Sequence, residues 1–289
     1  MPFGGADLHF HSTFSDGVET PARLVERAVS AGLSVAALTD HDAVDGIEAF
    51  AAAAAGTGLV AAGGAELSVS EGREDVHLLG LFVDPSEPGL GTRLAEIRRI
   101  RDRRGEAMVE RLATLGVDLD LPALRAAVGE GAFGRPHVAR ALVAKGVVAS
   151  PEEAFERFLG EGRPAFVPKA RWSMDEAVEA VRRAGGLAVL AHPVWYSDVA
   201  GLLRRGRDLG LDGVEVWHPD NDGREEELLR EAEALGLLVT AGSDFHAERD
   251  GCPTLGARRL GKAPWERLAA AGAARRREAG LSPLDLLPR

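Results

Sequence analysis

Apolar and polar positions along the chain alternate between two periods. Short apolar runs cover 6–11, 35–40, 59–68, 76–83, 187–192, 213–218 and 238–246. Between them, apolar residues recur at helical spacing over 21–31, 44–55, 174–184, 199–209 and 224–235. Short buried strands alternating with helices predict a parallel sheet covered by helices. Seven such strands predict a closed or nearly closed barrel.

One stretch breaks this rhythm. No strand pattern occurs over 88–167, where helical patterns follow one another at 90–115, 121–128, 136–145 and 151–159. Ser150, Pro151 and Glu153 form a helix start, with a hydroxyl cap, proline in the first turn and glutamate three residues on. Ser173 and Glu176 repeat the capping box where the barrel rhythm resumes. The expected organisation is a barrel over 1–87 and 168–289, the second part ending in a C-terminal helix, with a helical insertion over 88–167.

Composition narrows the function classes. With 289 residues and 45% hydrophobic content, the chain can bury a sizeable core. No apolar run is long enough to span a bilayer, and the first residues lack the pattern of a secretory leader. The single cysteine, Cys252, excludes an internal disulfide and fits a reducing, cytoplasmic setting. A formal net charge of -11 argues against a broad nucleic-acid surface and against duplex DNA as partner. The basic run 98–104 then reads as a solvated helix face. Bound divalent cations would still reverse the sign of the potential inside a cleft, so a phosphorylated substrate fits an acidic protein.

The chemistry collects at strand ends: six of the eight histidines lie within an expected strand, and His41 directly follows another. In a parallel barrel the C-terminal strand ends converge on one face, where catalytic groups gather. His9 and His11, two apart in a strand, project to one side, with Leu8 and Phe10 toward the helix layer. Asp16 follows in a Ser-Asp-Gly turn. Asp40, His41 and Asp42 end the second strand, Glu66 ends the third, and His77 sits in an apolar fourth. His192 ends the fifth, and Asp244 and His246 end the last. Taken singly, His77 reads more readily as a core histidine and Asp16 as a turn residue. Their shared placement points to a metal site, because this many ionisable groups beside apolar runs are costly unless they bind something.

These residues resemble the motifs of the PHP superfamily, named for polymerase and histidinol phosphatase. The match rests on His9-x-His11, Thr39-Asp40-His41-Asp42, Gly64-Ala65-Glu66, His77, His192-Pro193 and Gly242-Ser243-Asp244-Phe245-His246. The resemblance implies a distorted seven-stranded TIM-like α/β barrel and a trinuclear site. His9, His11, Glu66 and Asp244 would hold one ion. Glu66 would bridge to a second held by His77 and His192, and Asp16, His41 and His246 would hold a third. The mixed imidazole and carboxylate set suits Mn, Fe or Zn better than Mg. Asp40 and Asp42 would orient ligands.

Two insertion segments, 133–140 and 160–169, look like the subgroup of bacterial nucleoside 3′,5′-bisphosphate phosphatases and the 5′-to-3′ exoribonuclease RNase AM. That resemblance implies phosphate binding by Arg135 and His137, with Lys169 and Arg171 next. Catalytic candidates beside the metals are Arg135, His137 and Asp40. The expected reaction is attack of a metal-bridging hydroxide on phosphorus in a nucleotide phosphate or a short 5′-phosphorylated single-stranded RNA. Rival readings are a histidinol-phosphate phosphatase, a non-catalytic metal-binding PHP module and a structural zinc protein. The last needs more thiolates than one cysteine supplies. His218 reads as a rim residue without metal.

Overall fold

The computed structural model describes residues 2–72, 74–128, 133–168, 171–248, 253–282 and 284. These form two compact units: residues 1–92 with 172–289, and residues 93–171.

The first unit is built on a sheet of eight strands: β1 (Ala6–Asp7), β2 (Val35–Leu38), β3 (Val60–Glu71), β4 (Glu74–Leu81), β5 (Trp172–Ser173), β6 (Leu187–Leu190), β7 (Gly213–Trp217) and β8 (Leu238–Ala241). Seven follow the order β1-β2-β3-β4-β6-β7-β8, and the short β5 pairs beside β3. The two edge strands are joined by Leu8 N–H to Ala241 O (3.0 Å), Asp244 N–H to His9 O (2.8 Å) and His11 N–H to Phe245 O (2.9 Å). The barrel expected from seven strand-like runs is therefore present.

One strand departs from the parallel expectation. β4 runs antiparallel to both β3 and β6. β3 ends at Glu71 and β4 begins at Glu74, and so short a turn permits only a hairpin, since a parallel crossover needs a dozen or more residues. The reversal brings the N-terminal end of β4 to the barrel end where its parallel neighbours finish. His77 pairs with Ser68 there, two positions past Glu66.

Helices α1 (Pro21–Ser30) and α2 (Ile47–Ala54) pack outside β2 through Leu24, Val25, Ala28 and Phe50, which meet Phe10, Ala36 and Leu38. Alternate residues of the strands, Val35, Ala37, Leu79, Leu81, Leu187 and Val189, join a second cluster with Trp265 and Leu268. Those two come from the last helix of the chain, at Lys262–Glu278. Leu8 belongs to this second cluster and not to the helix layer with Phe10. Strand geometry in β1 ends at Asp7, so simple alternation does not extend through Leu8. Three further helices, at Met174–Arg183, Val199–Leu209 and Glu225–Leu235, complete the unit, the first starting at the Ser173–Glu176 capping box. Among the described residues no helix is long and apolar enough to cross a membrane.

The second unit carries the helices Pro88–Thr114 (which begins in the first unit), Leu121–Val128, Arg135–Ala144 and Pro151–Ala154, the last running into a π-turn at Phe155–Leu159. The Ser150 hydroxyl accepts the N–H of Glu153 at 3.3 Å, as its cap signature requires. Met108, Leu112, Phe133, Val138, Leu142 and Leu159 form its core. Among the described side chains of the basic run, Arg104 departs from a solvated face: it is buried, and its Nε donates to Val167 O at 2.5 Å.

Candidate metal centre

Glu66 is the hub of the barrel mouth. Its carboxylate is 1% exposed and five imidazoles converge on it. Oε2 lies 3.3 Å from His9 Nε2, 3.3 Å from His11 Nε2 and 3.0 Å from His41 Nδ1. Oε1 lies 2.7 Å from His77 Nδ1 and 3.0 Å from His192 Nε2. Burial alone would raise the Glu66 pKa, but the surrounding imidazoles hold it well below the usual carboxylate range.

Asp244 forms a second focus, its Oδ1 lying 3.4 Å from His9 Nε2 and 3.1 Å from His11 Nε2. Asp16, more than half exposed, forms a third, at 3.3 Å from His246 Nε2, 3.8 Å from His41 Nε2 and 3.9 Å from His11 Nδ1. Among the described residues, four groups have donor atoms within 4.8 Å of one another: His9, His11, Glu66 and Asp244; His11, Asp16, His41 and His246; His41, Glu66 and His77; and His9, Glu215 and His218. All nine residues expected to bind metal thus meet at one barrel end.

The donor set fits divalent cations. His9 Nε2, His11 Nδ1, His41 Nδ1 and Glu66 Oε2 are buried, and their close approaches to one another do not have the geometry of hydrogen bonds. Buried polar atoms are rarely left so unless a ligand uses them. The backbone is strained at the same place: Asp42, His192 and Asp244 have φ of 46°, 27° and 51°. Non-glycine residues enter that region at a cost, and such residues cluster at functional sites.

The surrounding residues explain how the donors are held. Asp40 spends its carboxylate on the loop that carries Asp16: it accepts Ser12 N–H (2.7 Å), Ser12 Oγ–H (2.7 Å) and Ser15 Oγ–H (2.6 Å). Both oxygens of Asp40 are thus engaged by the loop. Asp42 accepts Ser68 N–H at 2.9 Å. Tyr196 Oη accepts His77 N–H at 2.8 Å and lies 3.3 Å from His192 Nδ1.

Pattern reading missed three buried residues here. Glu215, in the middle of β7, faces His9 Nδ1 at 3.1 and 3.3 Å and accepts His192 N–H at 2.9 Å. For His9 Nε2 to bind a cation, Nδ1 must carry the proton, and Glu215 is placed to accept it. Burial would raise the Glu215 pKa, but His9 and its neighbours bring it below the usual value. The available signal was a glutamate inside the apolar run Gly213–Trp217. Asp7 is the second: it accepts N–H groups of Ser243 (3.0 Å) and Gly256 (2.7 Å), tying β1 to the segment that bears Asp244. His218 is the third, for it is 2% exposed and not on a rim. The turn at Pro219–Asn221 holds it, with Asp220 N–H donating to Nδ1 at 3.1 Å. That bond leaves the ring proton on Nε2, 3.5 Å from Asp244 Oδ2, so His218 faces the site as a donor.

The expected phosphate residues belong to the second unit. Arg135 opens its helix with the guanidinium 5.6 Å from the Phe155 ring centre. His137 Nδ1 accepts Gly134 N–H at 3.2 Å, a helix-capping contact. Arg171 closes the unit, and Lys169 lies outside the described residues, as does Cys252.

Comparison with known proteins places this geometry. A PHP domain profile matches residues 7–115. The chain is 38% identical over 253 residues to a 3′,5′-nucleoside bisphosphate phosphatase of Chromobacterium violaceum, covering 85% of this chain and 88% of the relative. It is 35% identical over 246 residues to a 5′-3′ exoribonuclease of Haemophilus influenzae, covering 83% of this chain and 89% of that protein. Among solved structures, a protein from Bifidobacterium adolescentis assigned as a metal-dependent phosphoesterase superposes with a TM-score of 0.79 at 34% identity, covering 93% of this chain and 96% of that one.

Proposed function

The chain belongs to the PHP family, and we propose that it is a metal-dependent phosphoric ester hydrolase acting on nucleotide phosphates. The primary substrate class is the 3′-phosphate of nucleoside 3′,5′-bisphosphates. The second is short single-stranded RNA with a 5′-phosphate, taken from its 5′ end. Both follow the relatives named above. The observation that carries the reading is the Glu66 carboxylate meeting five imidazoles, among buried donor atoms whose close approaches lack hydrogen-bond geometry.

Three ions are proposed. His9, His11, Glu66 and Asp244 hold the first, Glu66 with His77 and His192 the second, and Asp16, His41 and His246 the third. The donor groups support the first and third positions, with His11 also in reach of the third; around the second they join His41 to Glu66 and His77, and His192 enters through its Nε2, 3.0 Å from Glu66 Oε1 and 3.2 Å from His77 Nδ1. Imidazole with carboxylate favours Mn, Fe or Zn. Bound there, such ions acidify water and neutralise charge on the phosphoryl oxygens. Within the protein, Glu215 and Tyr196 orient the imidazoles, and Asp40 holds the Asp16 loop. His218 presents an N–H beside Asp244. Arg135, His137, Lys169 and Arg171 remain the phosphate-binding candidates on the subgroup resemblance.

The test compares metal-loaded and chelated protein on adenosine 3′,5′-bisphosphate, a 5′-phosphorylated oligoribonucleotide and histidinol phosphate. Chelator-sensitive release of phosphate from the first, or of mononucleotides from the second, is expected. Turnover of histidinol phosphate alone moves the protein to the rival substrate class, and no turnover of any phosphoester rejects the enzyme.

A further inference from the structure

Trp195 is the one exposed large aromatic side chain beside the site among the described residues, and the metal centre does not account for it. It leaves 57% of its surface to solvent. Yet it is held firmly. Trp195 ends the turn Pro193–Trp195, and its N–H bonds the carbonyl of His192 at 3.2 Å. Its ring centre lies 4.1 Å from that of His192, with 32° between the planes. The indole Nε1–H donates to Asp220 Oδ2 at 3.0 Å. The same Asp220 supplies the N–H that fixes the His218 ring.

The consequences follow from this placement. His192 Nε2 is 3.0 Å from Glu66 Oε1, so the indole stands one imidazole away from the hub of the candidate metal centre. His192 is itself buried beneath it. One indole face covers the imidazole, the N–H edge is tied down, and the exposed remainder presents aromatic surface to solvent. Covering His192 would not require that outer surface. A rigid, exposed aromatic ring beside a phosphate-processing site is what a purine or pyrimidine stacks on, because every base offers a π-face and a fixed ring loses little freedom on stacking.

We infer that Trp195 is the stacking platform for the base of the substrate, and so a residue that sets preference for nucleotides over phosphoesters without a base. This rests on the nucleotide reading proposed above.

The test measures wild type, Trp195→Ala and Trp195→Phe on two substrates: adenosine 3′,5′-bisphosphate, and 1-deoxyribose 3,5-bisphosphate, which keeps the phosphates and lacks the base. Metal content is measured for each protein. Trp195→Ala should lower the ratio of kcat/KM for the base-bearing over the base-free substrate by roughly 5- to 150-fold, the worth of one base stacked on an aromatic ring. The loss should fall chiefly on KM, and Trp195→Phe should restore most of it. Equal loss on both substrates, with reduced metal content, would show that Trp195 merely supports His192 and would overturn the inference; so would an unchanged ratio. Calorimetric binding of adenosine 5′-monophosphate and of inorganic phosphate to the metal-loaded proteins separates the two readings. Trp195→Ala should weaken the nucleotide selectively, and equal affinity in wild type and variant overturns stacking whatever turnover shows. If the wild type binds the nucleotide through Trp195 but hydrolyses neither substrate, it is the hydrolase reading that fails.

Discussion

Glu215→Gln is the sharpest probe of how the centre is held. The substitution keeps the shape and removes one charge from a group that is fully buried. Glu215 faces two donors, His9 Nδ1 at 3.1 Å and His192 N–H at 2.9 Å. A glutamine has one carbonyl oxygen and one NH2 group, so either the 3.1 Å contact to His9 or the 2.9 Å contact to His192 must be replaced by an N–H. If the amide turns its oxygen to His192, His9 Nδ1 keeps only the longer 3.3 Å contact to that oxygen and meets an NH2 at the closer position, which favours moving the ring proton to Nε2, the atom that faces Glu66 and Asp244. Loss of such an orienting partner weakens metal binding by about 10- to 100-fold, or roughly 1.4–2.7 kcal/mol. That magnitude agrees with one hydrogen bond to a charged group, about 1.5–3 kcal/mol. The weakened ion should be the one held by His9, His11, Glu66 and Asp244, so competition titration should show one class of site shifted and the others little changed. Circular dichroism and thermal melts of the metal-free protein establish that the variant folds. A folded Glu215→Gln protein that binds every metal equivalent within twofold of wild type would refute the reasoning.

Three further outcomes are expected. A Cβ at Gly242 would lie 2.1 Å from His9 Cβ and 2.8 Å from Glu215 Oε1, so Gly242→Ala should cost at least about 1–3 kcal/mol of stability in urea unfolding; wild-type stability would contradict the packing. Burial would lower the His11 pKa, but Asp244 and Glu66 outweigh it and hold it near about 10, so the metal-free ring is protonated at neutral pH. His9 is likewise raised well above its usual value, against its own burial, by Glu215, Asp244 and Glu66. Both rings must lose a proton to bind a cation. Metal binding should therefore release about two protons and tighten as pH rises from 6 to 9, by up to about 100-fold per pH unit, readable by calorimetry in buffers of different ionisation enthalpy. Affinity independent of pH would contradict the protonated cluster. Finally, chelation should lower Tm. An ion at 100-fold over its Kd adds about 2.7 kcal/mol per site, or roughly 5–10 °C for a chain of this size, and an unchanged Tm would deny the site its binding energy.

Much of this molecule is legible in one dimension. Apolar alternation places β2, β3, β6, β7 and β8, and the helical period places the helices of both units, because burial of one face imposes its own repeat on the chain. The nine candidate ligands were legible for a related reason: a His, Asp or Glu at the edge of an apolar run is costly unless something compensates it. Pattern reading stops where direction and pairing begin. Nothing in the composition of 76–83 states which way that strand runs. The short turn after Glu71 reverses it, and the reversal puts His77 beside Glu66 and makes a candidate ligand of a residue that alone reads as core. The same limit hid Glu215. Periodicity says that a position is buried, but only the pairing of β7 with its neighbours shows that this carboxylate sits against His9 and His192, 206 and 23 residues away. His218 reads as a rim residue in the sequence, whereas the turn at Pro219–Asn221 brings Asp220 N–H onto its ring and the residue is buried. Which residues carry charge into the barrel end was a property of the chain. Which carboxylate meets which imidazole, and through which nitrogen, was decided by tertiary structure, because those contacts depend on strand direction, register and ring orientation, none of which leaves a repeat in the sequence.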